Sequence, residues 1–98
     1  METNIQAMEA RQVEHPSIER YTEIARILTG DRNASAPDGV TWVSKLVSEL
    51  KVPALSAHGM TTARIPEAVE KAMKASSTKG NPILLTEAEL HGVLERSL

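Results

Sequence analysis

Apolar residues in this chain recur three and four positions apart, and nowhere do they alternate with polar ones over the length of a strand. Steps of three and four keep side chains on one face of a helix, whereas alternation lines one face of a sheet. The pattern therefore restricts the chain to helices. Ile18, Tyr21, Ala25 and Leu28 form one stripe, widened by Ile24 and Ile27. Val40, Val43, Val47 and Leu50 form a second, and Ile65, Ala68, Val69, Ala72 and Met73 a third. Leu90, Val93, Leu94 and Leu98 form the last. The segment 4–14 reads as one more helix with a weaker face of Ile5, Met8 and Val13.

Local chemistry sets the expected ends. His15-Pro16 opens the first strong stripe, because a proline in the first turn forfeits only an N–H that would lack a partner anyway. Gly30 closes it, since glycine takes the left-handed cap conformation at little cost. Ser35 with Asp38, and Thr86 with Glu89, have the spacing of capping boxes and start the second and last stripes. Lys51 is expected in the last turn of the second, where it suits the negative end of the helix dipole. Val52-Pro53 then stops it, because the residue before proline avoids helical angles. Residues 54–62, containing Gly59, read as a loop, and Pro66 begins the next helix. The run 76–82 reads as a turn, and Ile83-Leu84-Leu85 as an extended connection. The expectation is an all-α fold, a compact bundle of about five helices in a single domain over residues 1–98.

Composition narrows the function classes. At 98 residues, area scaling lets roughly 64% of the chain's surface be buried, enough for one core. That length excludes a β/α barrel or a complete two-domain dehydrogenase. Eleven Lys and Arg against thirteen Asp and Glu leave a net charge of −2. Nucleic-acid and membrane-surface proteins need a basic face, so neither partner is expected. Trp42 and Tyr21 are the only aromatic residues, which leaves no platform for stacking bases. Without cysteine there is no disulfide, thiolate nucleophile or zinc ribbon. The start, Met1-Glu2-Thr3-Asn4, is acidic and unlike a secretory signal, and no run approaches the ~20 apolar residues of a membrane span. The expected compartment is the cytoplasm.

No residue pattern assigns catalysis. His15, His58 and His91 are far apart, and only Glu87 with His91 has the one-turn spacing that puts two ligands on one helix face. Asp31-x-Asn33-x-Ser35 begins like a calcium loop but has Ala36 where glycine is needed and Trp42 where a bidentate Glu is needed. Gly39, Gly59 and Gly80 stand alone, so no phosphate loop forms. Ser, His and acidic residues occur without a nucleophile elbow. No catalytic and no metal-ligating residue is assigned. Lys79 and Asn81 are the best polar candidates for touching a ligand, because loop residues after a helix project into clefts.

The ensemble of segments resembles a known family. Ile65-Pro66-Glu67-Ala68-Val69-Glu70-Lys71-Ala72, the run Ser76-Ser77-Thr78-Lys79-Gly80-Asn81-Pro82, and Leu85-Thr86-Glu87-Ala88-Glu89-Leu90 look like the C-terminal end of iron-dependent (group III) alcohol dehydrogenases. Arg20-Tyr21-Thr22-Glu23-Ile24-Ala25-Arg26 and Leu28-Thr29-Gly30 resemble a helix of that family's helical domain, and Val52-Pro53-Ala54-Leu55-Ser56-Ala57-His58-Gly59-Met60 its following loop.

The resemblance implies an oxidoreductase that moves a hydride between an alcohol or aldehyde and NAD(P), with a divalent metal (Fe or Zn) in a cleft between a nucleotide-binding domain and a helical one. The family's Asp and three His metal ligands, and its nucleotide-binding domain, would lie upstream of Met1. His58 falls where the family more often has an aromatic residue. The chain is thus expected to be a detached or truncated helical domain, without cofactor or activity of its own. Ser77, Thr78, Lys79, Gly80 and Asn81 are the cleft-loop candidates. The partner would be a nucleotide-binding half, or a second copy through an exposed apolar face. The alternative reading is a stand-alone helical module that binds another protein.

Overall fold

The structure, a computed structural model, describes residues 1–11 and 14–98. Its described residues contain no strand and six α-helices: α1 (Glu2–Arg11), α2 (Pro16–Thr29), α3 (Ala36–Glu49), α4 (Ile65–Lys74), α5 (Ser76–Lys79) and α6 (Glu87–Glu95). The all-α expectation holds. None of these helices is long and apolar enough to cross a membrane. Contacts divide the chain into two compact units, Met1–Val52 and Pro53–Leu98.

In the first unit, α2 packs chiefly against α3, and α1 rests on both. Ile5, Ala7, Met8, Ala25, Ala34 and Ala36 are its buried apolar residues, a core built largely of alanine. Small side chains let helices approach closely, and Gly39 lies close against Ala25. Asn4 is buried with its amide Nδ2 donating to the Tyr21 hydroxyl at 2.9 Å, so this polar group is not stranded in the core. Of the expected face of α1, Ile5 and Met8 are buried, whereas Val13 lies outside the described residues.

The helix ends follow the local chemistry. His15 caps α2, its Nδ1 accepting from Ser17 N at 3.2 Å, with Pro16 in the first turn. Gly30 (φ 71°) ends α2 and donates to Arg26 O at 3.0 Å. At Ser35 the Asp38 carboxylate accepts from the Ser35 backbone N–H at 2.8 Å and from its hydroxyl at 2.7 Å. Both hydrogen bonds stabilise the charged form, and the backbone one chiefly holds the Asp38 carboxyl below its ordinary value.

One expectation for α3 is corrected. Lys51 is not in its last turn but beyond the Leu50 cap, in the left-handed region at φ 51°. Its N–H donates to Ser48 O at 3.1 Å and that of Val52 to Val47 O at 3.2 Å. This is a Schellman closure with lysine where glycine is usual. The apolar stripe, moreover, is covered over only half its length. Val40 and Val43 are half-buried, but Val47 and Leu50 are exposed, because the first unit places nothing over the second half of α3. On α2, Ile24 and Ile27 are likewise exposed.

In the second unit α4 packs on α6. Ile65, Val69 and Leu85 are buried, with Leu90, Val93 and Leu94 half-buried beside them. Thr86 and Glu89 form the expected capping box: Thr86 Oγ1 accepts from Glu89 N at 3.2 Å, and Glu89 Oε2 accepts from Thr86 N at 2.7 Å. The loop expected over 54–62 contains the 3-10 turn Leu55–His58, closed by Gly59 at φ 82°. This turn is tied to the end of the chain, with Leu55 N donating to Ser97 O at 2.8 Å and the Ser56 hydroxyl to Leu98 O at 2.6 Å. A second 3-10 turn, Thr62–Arg64, leads into α4.

Candidate functional site

The run 76–82 opens on a short helix. Ala75, extended at φ −72° and ψ 134°, breaks the chain away from α4, and α5 then makes one turn. Thr78 N donates to Ala75 O, Gly80 N to Ser77 O and Asn81 N to Thr78 O, each at 3.2 Å. Asn81 Nδ2 donates to Ile83 O at 2.6 Å, spanning Pro82 and fixing the exit of the turn. Gly80 sits at φ −81°, and a β-carbon there would find Ser77 O at 3.5 Å, an ordinary contact. Glycine is therefore not demanded by the backbone at this position.

Four of the five cleft-loop candidates are brought together. Ser77, Thr78, Gly80 and Asn81 line an open hollow of about 460 Å³ with Leu85 and Leu90 on its apolar side. Lys79 is exposed and does not line it. The hollow has hydroxyl and amide groups on one side and aliphatic surface on the other, which suits a small amphipathic ligand more than a charged one.

A second hollow, of about 580 Å³, lies along α4 and α6 and was not anticipated from the sequence. Pro66, Val69 and Ala88 line it, together with Glu70, Glu87 and His91. The Glu87 and His91 spacing does bring both to this hollow. His91 Nδ1, however, lies 3.6 Å from Glu95 Oε2, and Glu70 is engaged by Lys74 Nζ at 2.6 Å. His15 caps α2, and His58 sits in the exposed turn Leu55–His58. Among the described residues no three His, Asp or Glu side chains gather as a metal ion requires. The donor set therefore does not fit the metal that the resemblance implies.

The two carboxyls held below their ordinary values lie outside both hollows. Asp38 caps α3, and Glu67 is lowered chiefly by the Lys71 ammonium hydrogen-bonded to it at 2.5 Å. Both are cap or surface interactions, and neither group faces a hollow.

A family profile described as the Fe-containing alcohol dehydrogenase family, C-terminal, covers residues 2–98. No curated protein and no solved structure matches the chain.

Proposed function

Because the chain belongs to the Fe-containing alcohol dehydrogenase family, as its C-terminal part, we propose that it serves as the helical part of an NAD(P)-dependent alcohol or aldehyde oxidoreductase and transfers no hydride alone. The observation that carries this reading is the family match over residues 2–98. Hydride transfer needs a nicotinamide held against the substrate and a group that polarises the substrate oxygen. In this reading both come from the rest of the enzyme, in the cytoplasm, and residues 77–81 form one wall of the completed cleft. Ser77, Thr78 and Asn81 present hydroxyl and amide groups there, Gly80 keeps the wall low, and Lys79 stands at its rim.

The purified chain, supplied with Fe²⁺ or Zn²⁺ and an aldehyde, is expected to oxidise neither NADH nor NADPH above background. Adding a nucleotide-binding part from the same family is expected to restore turnover. Turnover by the chain alone overturns the reading. In the reconstituted enzyme, changing Lys79 and Asn81 together to Ala is expected to raise KM for the nucleotide or the alcohol. Unchanged kinetics would remove residues 77–81 from the cleft.

A further inference from the structure

The start of α2 is closed by a titratable side chain. His15 is half-buried at the N-cap position, and its Nδ1 accepts the Ser17 backbone N–H at 3.2 Å. The His15 carbonyl accepts from Ile18 N at 3.0 Å. The side-chain bond needs a lone pair on Nδ1, which an imidazole has only when it is neutral with its proton on Nε2. A second proton turns Nδ1 into a donor, and the Ser17 N–H then faces another N–H. The same proton sets a positive charge at the positive end of a 14-residue helix, where a cation is disfavoured. Both effects act in one direction, and protonation opens the cap.

The surroundings offer the charged ring other partners. Glu14, Glu19 and Arg26 are the charged residues that line an open hollow with His15, and among the described residues no charged group of α1 or α3 lines it. Two carboxylates against one guanidinium favour an imidazolium turned toward Glu14 or Glu19 and away from Ser17 N. The caps of the neighbouring elements have no such group. Gly30 closes the far end of α2, while α3 starts on Ser35 with Asp38 and α6 on Thr86 with Glu89. Carboxylate caps keep their charge across about pH 5 to 8, the range in which imidazoles change theirs.

We propose that His15 is a pH-sensitive latch on the start of α2, closed when its imidazole is neutral and open when it is protonated. The first turn of α2 loosens as pH falls through the titration of the ring, while the starts of α3 and α6 stay closed. The proposal stands apart from the dehydrogenase reading, and either can fail without the other.

The test follows the full chain by NMR from about pH 8 to about pH 5. At the upper end the His15 ring is expected to carry its proton on Nε2. As the ring titrates, the Cα shifts of Ser17 and Ile18 are expected to move toward coil values with the same midpoint. The first turn should weaken about fivefold, as for the loss of a side-chain cap. The Cα shifts of Ala36 and Pro37, at the start of α3, should hold still. His15→Asn supplies an acceptor that does not titrate and is expected to keep the first turn closed across the range. His15→Ala supplies none and is expected to leave the turn equally open at both ends. A ring proton on Nδ1 at the upper end overturns the proposal. So do Ser17 and Ile18 shifts that stay fixed while the ring titrates, or a pH dependence that survives in His15→Asn.

Discussion

Gly39 of α3 lies so close to Ala25 of α2 that a β-carbon added to it would stand 2.9 Å from Ala25 Cβ and 3.1 Å from Ala25 Cα. Neither is the end of a flexible side chain, so relief of the overlap must move a helix. The core of the first unit is consequently set by a backbone approach more than by large side chains.

Gly39→Ala is expected to destabilise the first unit. Overpacking costs about 1–3 kcal/mol, against about 1 kcal/mol gained from helix propensity, so the net loss is about 1 kcal/mol. A urea titration followed by Trp42 fluorescence measures it, and adding Ala25→Gly should recover most of the packing loss. Gly92 in α6 is the contrast, since a β-carbon there meets only the far end of the long Arg96 side chain, at 3.2 Å. Gly92→Ala should leave stability unchanged or raise it by up to about 1 kcal/mol.

Lys51→Gly is expected to stabilise the end of α3. A side chain in the left-handed region costs roughly 1–2 kcal/mol, which glycine avoids at some expense in unfolded-state entropy. The net gain should be about 0.5–1 kcal/mol. Slower amide exchange at Lys51 and Val52, the two donors of the closure, would register it. A loss of stability would mean that the Lys51 side chain makes a compensating contact.

Thr86→Ala removes one arm of the capping box on α6. The expected cost is about 1 kcal/mol, read as faster amide exchange at Glu89 and Leu90. Because α6 packs on α4, protection at Val69 should fall with it.

The Asp38 carboxyl should titrate below its ordinary value near 3.8. With the folded value depressed, its contribution to stability is complete above the unfolded value and is lost as pH falls through the folded one. Carboxyl carbon NMR shifts report this directly. The backbone N–H of Ser35 is the larger cause and its hydroxyl the smaller. Ser35→Ala should therefore retain most of the depression. Complete return to the ordinary value would assign the effect to the hydroxyl instead.

Among the cleft-loop candidates, Ser77, Thr78, Gly80 and Asn81 could be brought together from sequence because they are neighbours along one turn. Leu85 and Leu90 on the opposite side could not, since folding alone brings the end of the extended connection and the first turn of α6 beside that turn. The one-turn helix Ser76–Lys79 was hidden for a related reason. Serine and threonine compete for their own backbone and disfavour helix, but the break at Ala75 and the bond from Asn81 to Ile83 hold a single turn in place.

The positions of most helix ends were determined by the amino-acid sequence itself, because caps act over three or four residues. Pro16 brings no N–H that would need a partner, while Gly30, the Ser35 and Asp38 pair, and the Thr86 and Glu89 pair each satisfy backbone groups that the helix leaves unpaired. The same stripes that make the helices amphipathic were equally legible. Which part of a stripe is covered was decided only by the tertiary structure. Val40 and Leu50 share one pattern in α3, yet the first is half-buried and the second exposed. Periodicity assigns a residue to a face, but burial depends on what other helices reach that face, and that follows from packing such as the approach of Gly39 to Ala25.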